Sequence, residues 1–520
     1  MKRLIFNLLP ALFLTPCCSA QAQADQPDTA ICNRIRRAEF NSSQIPQIAH
    51  YLTDVAGSRL TNSEGYRRAA DWTVATMKKW GLANAQTEPW GQFGKQWDLE
   101  SFTISMTEPY VTPLRAYPNP WSPNTNGLQK GQVVVISPQQ YMDSVYLQQH
   151  MPDFKNKFVL LTGKAPQTDA AFMPTATRLA DTALANLKDK YMEKREGVEG
   201  EIAFMRKLMG LDMTLKKAGA LAIIFSGRQS TNGNVFVQSS YGYKLTDPET
   251  LPQISIALED AQKIKRLYQS GHRVEIACEV KGKFSTQNTK GYNVIGEIPG
   301  IDAKLKSQLV MLGGHLDSWT AATGATDNAA GCIVMLEAMR LLDSLGLKPK
   351  RTIRLALWDG EEQGLFGSYN YVKNHFIDSK TYQLKPEQAK VSVYFNLDNG
   401  TGKIRGIHAQ NNAAVQPIFT NWFAPFNDLG AAKVTLTNTG STDHLSFDWA
   451  GIPGFQFVQD EIDYETRTHH SNMDDYDHLQ IEDLKQAAVI VASFVYQASV
   501  RPDMIPRKPL KKEMFVFEGL

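Results

Sequence analysis

Apolar residues change their rhythm along this chain. From 32 to 86 they recur at helical spacing, and AADWTVATMKKWGL (Ala69–Leu82) predicts a helix that stops at Gly81. Residues 87–127 are extended, aromatic and proline-rich, close on YPNPWSPNTNG and predict a boundary. From 128 to about 285, short apolar runs such as GQVVVIS, KFVLLTG, ALAIIFSG and QISIAL predict buried strands. Among them, the stretch from about Thr175 to Ala218 is charged and amphipathic and predicts a solvated helical excursion. From about Lys290 to Arg501 strand, loop and helix alternate. SQLVMLGG, RTIRLALWDG, AKVSVYFNLDNG and GIPGFQFVQ predict strands, and NAAGCIVMLEAMRLLDSLG and IEDLKQAAVIVASFVYQASV predict helices. That alternation predicts an α/β domain with a mostly parallel sheet flanked by helices.

Composition narrows the class. The chain has 520 residues, 42% apolar and 21% charged, which excludes a disordered chain, a collagen and a coiled-coil rod. Lysine and arginine (55) nearly balance aspartate and glutamate (53), and the one basic run is a tail near Lys508, Lys511 and Lys512, so no nucleic-acid partner is expected. Lys2 and Arg3, the apolar run Leu4–Leu14 and Ala22-Gln23-Ala24 have the order of a secretory leader cleaved before Asp25. The expected product is exported, to the periplasm or outside the cell. Its apolar run is too short to span a bilayer, and no later segment is long enough. Cys17 and Cys18 offer a lipid-anchored alternative, but Pro16 makes a poor context for it. Cys32, Cys278 and Cys332 remain after cleavage, an odd count that cannot fully pair. A Cys32–Cys278 bridge has weak support, Cys332 is expected in the core, and none has metal-ligand spacing.

The chemistry collects where strands end. In open α/β sheets ligands bind beyond the carboxyl ends of the strands. Here those ends run into Gly313-Gly314-His315-Leu316-Asp317, Asp359-Gly360-Glu361-Glu362 and Asn396-Leu397-Asp398-Asn399. A loop before a helix adds Thr326-Asp327-Asn328, and a late loop adds His469-His470-Ser471-Asn472-Met473-Asp474. Singly, a His-x-Asp is more often structural, and Glu-Glu at a helix start is often only favourable dipole chemistry. Together they would crowd carboxylates that take up protons unless a cation holds them. Mixed nitrogen and oxygen ligands suit Zn²⁺ better than Mg²⁺ or Ca²⁺.

The motifs GGHLDS, GATDNAAG, WDGEEQGLFGS, NLDN, GSTDHLSF…GIPGF and THHSNMDDYDHL, in this order from His315 to Leu479, resemble the secreted di-zinc exopeptidase family of bacterial leucyl aminopeptidases, glutamate carboxypeptidases and carboxypeptidase Q. KAGALAIIFS and LPQISIALEDAQKI resemble a protease-associated domain, and YLTDVAGSRLTNSEGYRRAADWTVATMKKWGL resembles the family's N-terminal helical segment. The resemblance implies a leader over 1–24, an N-terminal helical segment over 25–127 and an inserted β-rich protease-associated domain over 128–285. A di-zinc catalytic domain over 286–505 and a tail over 506–520 follow. It implies two zinc ions per chain: Asp327, twelve positions after His315, bridges them, His315 and Asp398 complete one site, and Glu362 and His470 the other. Glu361 would be general base and then general acid, with Asp317 and Asp474 holding the ligand imidazoles.

This chain has His469 where several relatives place a tyrosine as oxyanion donor; His469 and Tyr464 are both candidates, and His469 in a packing role is as well supported. The expected function is hydrolysis of terminal bonds of peptides, with an aminopeptidase favoured over a carboxypeptidase or dipeptidase. Asp443 or Asp460 would accept a substrate ammonium, and Arg405 or Arg467 would meet a substrate carboxylate. A glutaminyl cyclase, which uses one zinc, and a non-catalytic binding module are the remote alternatives. The long helical stretch offers a surface for a homodimer.

Overall fold

The structure is a computed structural model that describes residues 25–163, 174–189, 195–227, 230–239, 241–378, 380–381 and 383–509. The leader with Cys17 and Cys18, and the end of the tail with Lys511 and Lys512, lie outside the described residues. Among the described residues sixteen strands form two sheets. They are β1 (Ala83–Gln92), β2 (Gln96–Glu108), β3 (Thr112–Pro113), β4 (Ala116–Pro118), β5 (Gln129–Ile136), β6 (Lys157–Leu161), β7 (Ala222–Phe225), β8 (Gln253–Ile256), β9 (Glu275–Ser285), β10 (Lys290–Ile298), β11 (Leu309–His315), β12 (Thr352–Trp358), β13 (Val391–Asn396), β14 (Ile404–His408), β15 (Lys433–Thr435) and β16 (Gly454–Gln459). The helices used below are α1 (Thr29–Ser42), α2 (Glu64–Trp80), α3 (Arg195–Lys217), α4 (Leu258–Gln269), α5 (Ala330–Ser344), α6 (Phe366–His375) and α7 (Ile481–Val500).

The first sheet has the order β1-β10-β12-β11-β13-β16-β14-β15. Its centre, β12-β11-β13-β16, is parallel, and antiparallel β10 and β14 extend it on either side. The alternation of a strand decides where each side chain goes. Val310 and Leu312 of β11 enter the core formed with α1, α2, α5 and α7, whereas Met311 enters the opposite core with Trp358, Tyr371 and Phe447. Being covered on both faces, these strands read as continuous apolar runs rather than alternating ones. Helix α5 is buried almost all round and starts against the sheet. A side chain at Gly331 would sit 2.2 Å from the Leu397 carbonyl, so glycine is required for that approach. Helix α2 is capped by the Ser63 side chain, which accepts from the Tyr66 amide, and ends at Gly81 in the left-handed region.

The second sheet has the order β3-β2-β9-β5-β6-β7-β8-β4. It starts at Gln96, not at 128, because β2 pairs along its length with β9, and β4 pairs with β8. Beside its eight strands it has α/β character, since β5-β6-β7-β8 are parallel and helices α3 and α4 accompany them. The expected helical excursion is only in part solvated: Leu211, Leu215 and Ala218 are buried against Val159 and Ile223. The chain passes between the sheets as two adjacent strands, β1 into β2 and β9 into β10, joined where the Phe93 and Gly94 amides donate to the Thr289 carbonyl. An aromatic cluster packs at this crossing: Trp90, Phe93, Trp97, Trp121, Tyr243 and Trp319. The Phe93 and Tyr243 rings stack at 5.0 Å. Each such ring removes about 150–250 Å² from water, roughly 4–6 kcal/mol gross at ~25 cal/mol per Å². Cys32, Cys278 and Cys332 are buried free thiols, so Cys32 and Cys278 form no bridge.

Candidate active site

His315 is the last residue of β11. Its Nε2 lies 3.2 Å from Asp398 Oδ1 and 3.3 Å from Asp327 Oδ1. Asp398 follows the end of β13 by two residues, and Asp327 lies in the turn that enters α5. On the other side of Asp327, His470 Nε2 lies 3.3 Å from Asp327 Oδ2 and 3.0 Å from Glu362 Oε2. Asp327 therefore stands between two imidazoles, each with a further carboxylate, and Glu361 precedes Glu362 on the loop after β12. The structure brings together the five expected ligands from five separate segments.

The supporting hydrogen bonds differ in part from expectation. The Asp317 carboxylate pairs with His315 Nδ1 at 3.6 Å, and the Asp317 backbone carbonyl is the nearer partner, at 3.0 Å. The chain turns directly after β11, which lets the Asp317 carboxylate also reach the neighbouring loop. There it accepts from the Glu361 amide at 3.2 Å, the Glu362 amide at 3.3 Å and Thr61 Oγ1 at 3.1 Å. Asp474 does not hold His470. It accepts from the Thr326 amide at 2.6 Å and the Asp327 amide at 3.1 Å, so it orients Asp327 through the backbone. His470 Nδ1 is 3.1 Å from Gln238 Oε1, in the second unit.

Arg59, absent from the sequence expectations, is fully buried beneath these loops. Its guanidinium donates to the carbonyls of Leu316 at 2.7 Å, Leu52 at 2.8 Å and Gly324 at 2.8 Å, and also to that of Thr323. It pins the segments that carry His315 and Asp327. The one signal for it was a strong base inside the GSRLTNSEG segment.

Electrostatics explains why such a cluster calls for positive charge. Burial pushes Glu361 well above the ordinary glutamate range; His315 opposes this, and Asp398, Asp443 and Glu362 add to it. Glu362 is pushed up to about 7 by burial, against the pull of His470. Burial lowers His470, but Glu362 and Asp327 outweigh it and push the imidazole up to about 10. Asp327 is raised by burial but held well below the usual carboxylate range by His315 and His470. Asp327 Oδ2 and Glu362 Oε1 are buried without a hydrogen-bond donor. Oxygens left bare in this way, beside two imidazoles, fit divalent cations. Among the described residues two donor groups are compact enough to hold one: His315 with Asp327 and Glu362, and Asp327 with His469 and His470.

The remaining candidates divide. His469 Nε2 lies 3.9 Å from Asp327 Oδ2, and its ring centre is 4.0 Å from that of His470. Burial and the neighbouring His470 lower its pKa, which favours the neutral ring. Tyr464 is buried with its ring 4.8 Å from His469. Burial, and then the charges of Asp327, Asp398 and Glu362, raise its hydroxyl well above the ordinary range, so it keeps its proton and can donate. Asp443 is fully buried and pushed up to about 8 by burial, both carboxyl oxygens lacking donors. Arg405 and Asp460 are not free for substrate. Their side chains pair at 2.8 Å, Arg178 also reaches Asp460 at 2.9 Å, and Arg405 donates to the Leu179 and Gly430 carbonyls. That network fastens the segment around 178–181 to the unit of the first sheet. Arg467 is partly exposed and donates to Thr175 Oγ1 at 3.2 Å. Trp319, Ala321, Gly324 and Ser471 border the small open cleft that holds Asp327, Glu362 and His470.

A parallel sheet centre here gathers imidazoles and carboxylates at its carboxyl ends, a donor set that could hold divalent cations. Residues 293–495 match the model of Peptidase family M28. It is 31% identical over 258 residues to carboxypeptidase Q of Homo sapiens, 49% of this chain and 52% of that protein. It is 26% identical over 458 residues to carboxypeptidase Q of Bos taurus, 88% of this chain and 85% of that protein. The chain thus spans about half the length of the first curated relatives it matches and most of the bovine one. Its fold is that of a peptidase M28 precursor from Shewanella amazonensis SB2B (TM-score 0.67, 23% identity, covering 94% of this chain and 100% of that one). A zinc aminopeptidase from Bacillus subtilis is similar at TM-score 0.55 and 19% identity, with 90% and 98% covered. Among the described residues no helix is long and apolar enough to cross a membrane.

Proposed function

We propose that this protein is an exported, zinc-dependent exopeptidase that removes terminal residues from peptides. The observation that carries the reading is the placement of Asp327 between His315 and His470, each with its own further carboxylate. His315 and Asp398 would hold one cation, Glu362 and His470 the other, with Asp327 between them. When bound, the cations supply Lewis acidity and make a water nucleophilic near neutral pH. Glu361 takes the proton of the attacking water and passes it to the leaving amine, work for which a carboxyl with a raised pKa is suited. Tyr464 or His469 donates to the oxygen of the scissile carbonyl as it gains charge.

The pairing of Arg405 with Asp460 removes one candidate receptor for a substrate carboxylate and one for a substrate ammonium, which leaves Arg467 and Asp443 as the receptors of the two polarities. A carboxypeptidase or dipeptidase is favoured by the likeness to carboxypeptidase Q along most of the chain. The secretory order of the first residues supports export. The test uses zinc-loaded protein and one short peptide in free, N-acetylated and C-amidated forms, with and without chelator. Cleavage lost on acetylation but kept on amidation identifies an aminopeptidase. The reverse pattern identifies a carboxypeptidase, and loss with both a dipeptidase. No cleavage of any form by zinc-loaded protein overturns the peptidase reading.

A further inference from the structure

His470 sits on a loop rather than at a strand end, and its backbone is in the left-handed region at φ 54. Within its own unit the imidazole meets Glu362 and Asp327 through Nε2 and the rings of Trp319 and His469. Asp474 is spent on the Thr326 and Asp327 amides, and the acceptor that faces Nδ1 comes from the second unit, as do further contacts of the loop. Phe236 and Ser471 form a β-bridge, and the Val237 amide donates to the His470 carbonyl at 2.8 Å. The Asn472 amide donates to the Val235 carbonyl at 3.2 Å, and the Val235 amide to Asn472 Oδ1 at 2.6 Å. Asn234 Nδ2 donates to the Arg467 carbonyl at 3.1 Å, and the Phe236 ring lies 5.4 Å from the imidazole. The backbone of Gln238 is itself held, its carbonyl accepting from Asn119 Nδ2 at 2.8 Å.

We infer that Gln238, on the segment 234–238 of the second unit, is a positioning residue for the cation ligand His470. The argument is one of tautomers. An imidazole that ligates through Nε2 must carry its proton on Nδ1, and that proton needs an acceptor. Nε2 faces Glu362 and Asp327, and Nδ1 faces Gln238 Oε1 at 3.1 Å. The amide oxygen accepts the Nδ1 proton and leaves the Nε2 lone pair toward the two carboxylates. The site half that contains Glu362 is thereby completed from the second sheet, while the half that contains His315 is completed by the backbone of Asp317. Because Gln238 is exposed, water can replace part of its contribution, which places the effect of its loss near the low end for such partners.

The inference rests on the reading that His470 ligates a cation, so its test measures Zn²⁺ binding by the full chain, not turnover. Apoprotein is titrated with Zn²⁺ against a competing chelator, for wild type, Gln238→Met and Gln238→Glu, with thermal unfolding of each apoprotein alongside. Methionine keeps the length without the acceptor; glutamate keeps the acceptor. The expected result is that one of two Zn²⁺ equivalents weakens about 10-fold in Q238M, that Q238E binds it as tightly as wild type or more so, and that the other equivalent is unchanged in both. Equal affinities in wild type and Q238M overturn the inference. So does an equal loss in Q238M and Q238E accompanied by a lower apoprotein melting temperature, the mark of a merely structural residue. If wild type itself binds no Zn²⁺, it is the metal-site reading that fails.

Discussion

Around Asp327 and around Glu39 the chain buries carboxyl groups against one another, and the two places settle the repulsion in different ways. Glu39 of α1 faces Glu337 of α5. Glu337 accepts two bonds from Arg340, at 2.6 and 2.7 Å, and one from the Gln44 amide at 2.9 Å. Both oxygens of Glu39 lack donors, and Arg340 comes no nearer to it than 3.9 Å. Burial beside Glu337 pushes Glu39 up to about 9, so it holds a proton at neutral pH. At Asp327 two imidazoles hold the carboxylate ionised. One cluster satisfies burial by keeping a proton and is inert. The other keeps charge and bare oxygens at a cleft, which is what cation binding needs.

The contrast can be broken at three points. The largest effect is expected from Glu361→Gln, which keeps shape and nearly all packing but cannot move a proton: kcat should fall by about 10²–10⁴-fold while Zn²⁺ content stays the same. Loss of zinc together with activity would make Glu361 a ligand instead.

Glu39→Gln comes next, and it should stabilise. The folded carboxyl is pushed up to about 9 from an ordinary 4.5, so between those values the folded state binds the proton that the unfolded chain has lost. Wild-type stability therefore declines across that window as pH rises, and E39Q lacks that dependence. Denaturant unfolding at pH 8 should show the variant more stable by roughly 1–2 kcal/mol, with a flatter pH profile. A variant less stable than wild type at pH 8 would mean that Glu39 is ionised and paired.

The smallest effect is expected from Arg405→Ala. Its partner Asp460 keeps Arg178, so unfolding should be easier by about 1 kcal/mol, with KM and kcat for a free peptide unchanged. A selective rise in KM for substrates with a free carboxyl terminus would return Arg405 to substrate binding.

How much of the site was legible in the sequence depended on where each group stands. His315, Glu361, Glu362 and Asp398 follow buried apolar strands, so a strand reading also placed them at one edge of the sheet. Asp327 and His470 lie in loops and were found through motif spacing. The supporting groups were not legible. Asp317 and Asp474 are acidic residues close in sequence to the histidines, yet both carboxylates also accept from backbone amides of other loops, and Asp317 from Thr61 as well. Arg59 and Gln238 reach their partners across more than 200 residues, and no local pattern encodes such a contact. The start of the second sheet at Gln96 was missed for the same reason, since β2 is defined by β9.

The sequence by itself determined the elements and the donor set, because apolar periodicity and the residues at strand ends are local properties. Tertiary structure alone decided which oxygen faces which proton. Hydrogen bonding at the site depends on where separate loops meet, and those loops are fixed by burial elsewhere: by Arg59 under two of them, by the aromatic cluster at the crossing, and by the edge of the second unit against His470.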